Sequence, residues 1–161
     1  MLTEAQAWRV LQQVPDPEIP VVSVTDLGIV REVRSTPGAL TVVVTPTYSG
    51  CPATQLIASC IREALLEAGA PQVNIETRLS PAWTTDWITP EAAEKLRSHG
   101  IAPPGPSSHD AARPMRFAPR IACPRCGSSH TETLSQFGAT ACKALYRCLD
   151  CREPFEYFKP I

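Results

Sequence analysis

"DLGIVREVRSTPGALTVVVTPTYSGCPATQLIASCIREALLEAG", residues 26–69, is the stretch on which the fold turns. Its first half is rich in β-branched residues and is interrupted at Thr36-Pro37-Gly38, so it reads as two strands, about 27 to 34 and 39 to 45, closed into a hairpin. The second half changes period. Leu56, Ile57, Cys60, Ile61, Ala64, Leu65 and Ala68 recur at helical spacing, which predicts a helix burying one face and ending with Gly69 at C′. Upstream, Thr3 is an N-cap candidate for a stripe of Ala7, Trp8, Val10, Leu11 and Val14, and "PDPEIP" (15–20) stops that helix near Gln13. Downstream, "QVNIETRLS" (72–80) returns as a strand, and Thr89-Pro90 opens a short helix closed by Gly100. The resulting order, αββαβα, predicts a small α+β domain with helices on one face of a small sheet.

The chain has 161 residues and a net charge of -1, enough for one core plus a small module that burial alone would not stabilise. The charge is unevenly spread: residues 1–112 carry 7 Lys and Arg against 12 Asp and Glu, and residues 113–161 carry 8 against 4. The basic excess of the tail is small and no basic stripe interleaved with aromatics accompanies it, which argues against nucleic-acid binding. No apolar run approaches the roughly 18 residues of a membrane span and no signal-peptide pattern opens the chain, so no membrane role and a cytoplasmic location are expected. The organisation read from composition is an αβ domain over 1–102, a Pro-rich linker over 103–120, and a four-cysteine module over 121–161.

Five of the seven cysteines follow residue 122. "CPRCG" (123–127) and "CLDC" (148–151) form two C-x2-C pairs separated by 21 residues. Each pair can wrap a metal in a tight turn, with Gly127 free to take positive φ, so Cys123, Cys126, Cys148 and Cys151 are the expected ligands of a zinc-ribbon site. Four thiolates also suit iron or an iron–sulfur cluster, and spacing does not separate these. A module of about 40 residues has reason to need the metal as a staple. Cys142 shares a face with Cys148 if 140–148 is a strand, and is assigned to packing or to a transient metal or redox role; "FEYF" (155–158) is expected to cover the ribbon sheet.

Cys51 stands between Gly50 and Pro52 at the start of the long helix. Pro52 at N1 would make Cys51 the N-cap, where unpaired amides and the macrodipole favour a thiolate, the form that attacks electrophiles and binds metals. Against that stands plain burial of a small residue, which is the assignment given to Cys60 on the apolar face. Two acidic loops, with Asp16 and Glu18 in one and Asp26 and Gly28 in the other, would support Cys51 together with Thr45 and Gly50, or would simply cap their own turns.

"DPEIPVVSVTDLGIV" followed by "TPTYSGCPA" resembles the metal-sulfur cluster biosynthesis family, which includes SufT-like iron–sulfur assembly proteins, over about residues 3–105. With "PAWTTDWITPEAAEKLRSHGIAPP" and the ending "CPRCG…FGATACKALYRCLDCREPFEYFK", the whole chain resembles the phenylacetate degradation protein D (PaaD) family. One departure is Pro160, at a place where members commonly carry a cysteine.

That resemblance implies an accessory protein of bacterial phenylacetate degradation. Its role would be to assist maturation or assembly of the metal centres, iron–sulfur reductase or di-iron oxygenase, of the multicomponent phenylacetyl-CoA epoxidase. It implies Cys51 as a transfer thiol transiently holding iron or an iron–sulfur cluster, with Asp16, Glu18 and Asp26 on the family's loop motifs. Partners would be the epoxidase or reductase subunits, or a second copy of the chain. Three histidines and no Glu-x-x-His pair on long helices argue that the chain is not itself the oxygenase. The rival reading is a structural and interaction subunit in which Cys51 is inert.

Overall fold

The computed structural model describes residues 2–48, 50–105 and 120–161, so most of the expected linker, 106–119, lies outside the described residues. The chain divides into two compact units, Met1–Thr89 and Pro90–Ile161.

In the first unit, α1 (Glu4–Leu11) starts at a reciprocal cap. The Gln6 amide donates to Thr3 Oγ1 at 3.3 Å and the Thr3 amide donates to Gln6 Oε1 at 2.8 Å, satisfying two donors that the helix cannot. Its buried face is Ala7 and Leu11. The stretch from 12 to 29 is not a surface loop: Val14, Ile19, Val22, Val24, Leu27 and Ile29 are all buried. Their backbone is tied by Asp16 N to Val22 O (2.9 Å) and Val24 N to Val14 O (3.0 Å). Residues 27–29, expected within the first strand, therefore belong to this folded loop. The hairpin follows as β1 (Val30–Thr36) and β2 (Ala39–Val44), antiparallel.

α2 (Thr54–Glu67) buries Ile57, Ile61 and Leu65, spaced i, i+4, i+8. Leu56 is 53% exposed and Cys60 is half-buried, so the buried stripe is narrower than the sequence suggested and Cys60 lies at its margin. Gly69, at φ +102°, ends the helix at C′ as expected. β3 (Val73–Thr77) then pairs parallel with β2, because a helical crossover brings the chain back in the same direction. The sheet order is β1-β2-β3. Leu40, Val42, Val44 and Val73 are buried, and α1 and α2 pack against the sheet. Over the other face Glu32, Arg34, Glu76 and Arg78 form an exposed ladder, with Arg34 Nε to Glu32 Oε1 at 3.3 Å and Arg78 to Glu32 at 3.2 Å. Arg34 also bonds Glu76.

The second unit begins with α3 (Pro90–Ser98) and β4 (Ile101–Ala102). The sequence reading placed both in the first domain and set its limit at 102. In the structure β4 pairs parallel with β7, and α3 packs on β4, so the division falls at Thr89. The sheet is completed by β5 (Thr131–Ser135), β6 (Lys143–Cys148) and β7 (Pro154–Phe158), in the order β4-β7-β6-β5. One buried cluster in it is Ala102, Ile121, Cys123, Cys148, Phe155 and Tyr157, with Tyr146 stacked on Phe155 at 5.9 Å and edge-on to Tyr157 at 5.6 Å. Phe155, Tyr157 and Phe158 of "FEYF" are buried as expected. Among the described residues no helix is long and apolar enough to cross a membrane.

Candidate functional site

The four ribbon cysteines come from two loops folded alike. In each, the amide of the first cysteine donates to the carbonyl five residues on, Cys123 to Ser128 at 2.8 Å and Cys148 to Glu153 at 3.0 Å. In each, the residue after the second cysteine has a left-handed backbone, Gly127 at φ +76° and Arg152 at φ +66°. The result is one cluster. Cys123 Sγ lies 3.8 Å from Cys151 Sγ, Cys126 Sγ lies 3.5 Å from Cys148 Sγ, and all four sulfurs fall within 4.8 Å of one another.

A tetrahedral ion with metal–sulfur bonds of about 2.3 Å needs sulfur–sulfur edges of roughly 3.8 Å, so the spacing fits a single metal held by four thiolates. Among the described residues no second group of three or more His, Cys, Asp or Glu comes together in this way. Protonation differs around the cluster. Amide hydrogen bonds from Cys151 and then Asp150 outweigh burial and bring Cys148 down to about 7. At Cys151 the Glu153 amide lowers the pKa, but desolvation and the neighbouring thiols prevail and push it up to about 12. Outside the sulfurs, Ser128 Oγ donates to Asp150 and His130 Nδ1 lies 3.2 Å from its other oxygen, joining the two loops. The Ser128 hydroxyl first, and then His130, hold the Asp150 carboxyl below its ordinary value. Cys142 is buried but precedes β6 rather than lying in it, with Thr140 Oγ1 3.1 Å from its sulfur, and it does not join the four.

Cys51 is not the N-cap of α2. The cap is Ala53, in αR conformation and with no side-chain hydrogen bond. Pro52 and Ala53 are spent on a turn closed by Thr54 N to Cys51 O at 3.1 Å, and helical bonding starts only with Ile57 N to Ala53 O at 2.8 Å. The thiol therefore sits two residues ahead of the cap. Cys51 as a residue is 7% exposed and lines an open cavity of about 460 Å³, with Pro46, Gly50, Pro52, Gln55, Thr77 and Leu79 around it. Gly50 has φ +85°, a conformation that only glycine takes without strain, and it turns the chain into this cavity.

The acidic loops close on themselves. Asp16, buried, accepts from the Glu18 and Ile19 amides at 2.9 and 2.8 Å through Oδ1. Asp26 Oδ2 accepts from the Ser23 amide at 3.0 Å, while the Asp26 amide donates to Ser23 Oγ at 3.1 Å. Thr45 is buried, its amide bonded to Ile29 O at 2.8 Å. Gly28 lies beneath Trp87. Of the supporting residues named from sequence, Gly50 borders the Cys51 cavity, and Asp16, Glu18, Asp26, Gly28 and Thr45 are not among the residues that line it.

Residues 107–159 match the family model of the PaaD zinc beta ribbon domain, and residues 4–77 match that of the iron-sulfur cluster assembly protein. A protein of Escherichia coli (strain K12), whose name assigns it provisionally to 1,2-phenylacetyl-CoA epoxidase as one of its subunits, is 53% identical over 157 residues, 97% of this chain and 92% of its own. The chain belongs to the PaaD family. The assembly-type half of this PaaD-family chain is also similar to an Fe-S protein maturation auxiliary factor of Porphyromonas gingivalis (strain ATCC BAA-308 / W83), at 36% identity over 58% of this chain and 90% of the relative. Among solved structures, a domain of unknown function from Bacillus anthracis shares the fold with TM-score 0.54 and 24% identity, over 58% of this chain and 90% of its own. A conserved hypothetical protein of Thermotoga maritima gives TM-score 0.50 at 29% identity, covering 58% and 93%.

Sequence reasoning missed three features of this PaaD-family chain. Gln55, Thr77 and Leu79 reach the Cys51 cavity from two elements; the only sequence signal was Leu79, an apolar residue just beyond a strand and 60% exposed. Arg152 holds the glycine-like position of the second metal loop, which composition hides. Lys143, buried and ion-paired with Glu156, looked like an ordinary surface charge.

Proposed function

We propose that the chain is an accessory subunit of a cytoplasmic phenylacetyl-CoA epoxidase, not itself catalytic, that delivers iron or an iron–sulfur fragment to a metal centre of that enzyme. The Cys51 thiol takes the metal as a transient ligand, losing its proton on coordination, and passes it to ligands of the client. The observation that carries this reading is the position of Cys51, which lines an open cavity in the domain matched by the iron-sulfur cluster assembly model. The ribbon's four cysteines hold zinc, which offers no redox chemistry and closes its coordination sphere, and the folded ribbon serves as the docking module. The iron–sulfur reductase is the favoured client over the di-iron oxygenase.

A second reading has its own support. Cys51 is only 7% exposed, the value of a packing residue, and a purely structural subunit would need no more. Cys51→Ala separates the two. Delivery requires that the variant, folded and zinc-loaded, leave client iron and acid-labile sulfide below the wild-type level and lower epoxidase turnover accordingly. Full metallation of the client with Cys51→Ala would leave the structural reading standing.

A further inference from the structure

The two edges of the first sheet are finished differently. β1 is broken by a bulge between Val30 and Glu32, and its Ser35 amide is taken by Glu4 Oε1 at 2.9 Å, so that edge is blunted. β3 has no such device. Its register with β2, bracketed by Leu40 N to Gln72 O (2.8 Å) and Arg78 N to Val44 O (2.8 Å), spends the even-numbered peptide groups on β2. The N–H and C=O groups of Val73, Ile75 and Thr77 point away from the sheet, and among the described residues nothing pairs with them. Residues 76–79 along this edge are exposed, and Val73–Thr77 contains neither proline nor lysine. Glu76, the one charge in the strand, is drawn across the sheet face to Arg34.

This edge runs to the thiol. Thr77 and Leu79, at its end, border the same cavity as Cys51. We propose that β3 is a second docking element for the client, beside the ribbon: an extended segment of the client polypeptide adds to it as a fourth strand, and a metal-ligating side chain of that segment is thereby carried past Cys51. A row of main-chain donors and acceptors at strand spacing is matched only by another extended polypeptide. Self-pairing fits poorly. An antiparallel pair centred on Ile75 sets Pro71, which has no N–H, opposite Leu79, and lays a turn without metal ligands over each cavity.

The inference rests on the delivery reading for its purpose, but its test does not. Amide exchange is followed by NMR on the ¹⁵N-labelled full chain, alone and with each of the other epoxidase subunits, purified separately. Docking slows the Ile75 and Thr77 amides, which are unbonded in the free protein, while Glu76, already bonded to β2, changes little. Thr77→Pro removes one outward N–H without touching the β2 ladder and weakens binding by about tenfold or more, whereas Thr77→Val, which keeps the N–H, stays within about twofold. The proposal is overturned if no subunit slows these amides, if Thr77→Pro binds as well as Thr77→Val, or if the slowing appears in the protein alone as its concentration rises, which is self-pairing. Should Thr77→Pro fail to fold, exchange in the unaltered chain decides the matter. Repeating the exchange with Cys51→Ala keeps the two ideas apart: edge protection persists whether or not the thiol delivers metal.

Discussion

Trp87 occupies the space where a side chain at residue 28 would go. A Cβ built on Gly28 would lie 2.7 Å from both Trp87 Cβ and the Trp87 carbonyl oxygen, and the Gly28 backbone, at φ +68°, is left-handed. Nearby, the Trp83 indole donates to Leu27 O at 2.8 Å and the Thr89 amide donates to Asp26 O at 3.0 Å. The segment after β3 is thus strapped onto the "TDLG" loop. Gly28→Ala combines a steric conflict with backbone and a disfavoured φ, and should destabilise the protein by roughly 2–4 kcal/mol. Urea unfolding followed by tryptophan emission measures this; an unchanged midpoint would show that the strap does not need the close approach.

Asp16 is a structural acceptor first. Removing its carboxylate leaves the amides of Glu18 and Ile19 without the partner they have in a buried turn, so Asp16→Ala should cost about 1–3 kcal/mol. Were Asp16 used only toward a metal or a client, thermal unfolding of the isolated variant would match wild type.

The two metal loops invite a reciprocal exchange. Arg152 occupies at φ +66° the position that Gly127 occupies at φ +76°. Arg152→Gly should stabilise the metal-bound ribbon by about 0.5–1 kcal/mol, and Gly127→Ala, which meets no steric obstacle within 4 Å, should destabilise it by about 1 kcal/mol from the backbone alone. Opposite signs in chelator-challenge or thermal assays are the expected result, and equal effects of the same sign contradict it.

Metal removal should unfold the second unit selectively, because Cys123 and Cys148 belong to its buried cluster and four metal–sulfur bonds would join its two cysteine loops. The chain labels its halves in part spectroscopically: Trp8, Trp83 and Trp87 all lie in the first unit with one tyrosine, Tyr48, while the other two, Tyr146 and Tyr157, lie in the second. A strong chelator should remove the Tyr146 and Tyr157 share of the near-ultraviolet signal, which a Tyr48→Phe background isolates, and leave tryptophan emission in place. Simultaneous loss of both would mean that the units fold as one.

Metal affinity should fall with acid. The bound site needs four thiolates, and without metal the Cys151 thiol, at about 12, is protonated at neutral pH, while Cys148, at about 7, is partly ionised. Loading therefore expels protons, and each one displaced weakens binding by roughly tenfold per unit fall in pH. Competition titrations at pH 8 and pH 6 should show the weaker binding at pH 6. Affinity independent of pH would mean that the thiols are ionised before the metal arrives.

The metal centre was legible in the linear chain because its geometry is local. A C-x2-C turn presents two sulfurs whatever surrounds it, and two such turns have only to meet. The helices and hairpin were legible for a similar reason: apolar spacing of 3.6 or 2 residues records which face is buried. The chain as a string thus determined the four cysteines that come together, the main elements and the family. Tertiary packing decided the rest. It moved α3 to the second unit, because strand pairing between β4 and β7 joins residues more than fifty apart. It took Cys51 off the helix cap, where one extra turn of backbone sufficed, and set it instead beside Thr77 and Leu79. It closed the acidic loops on their own amides. Each of these outcomes depends on which distant groups compete for the same hydrogen bonds and the same space, and that competition has no signature in spacing.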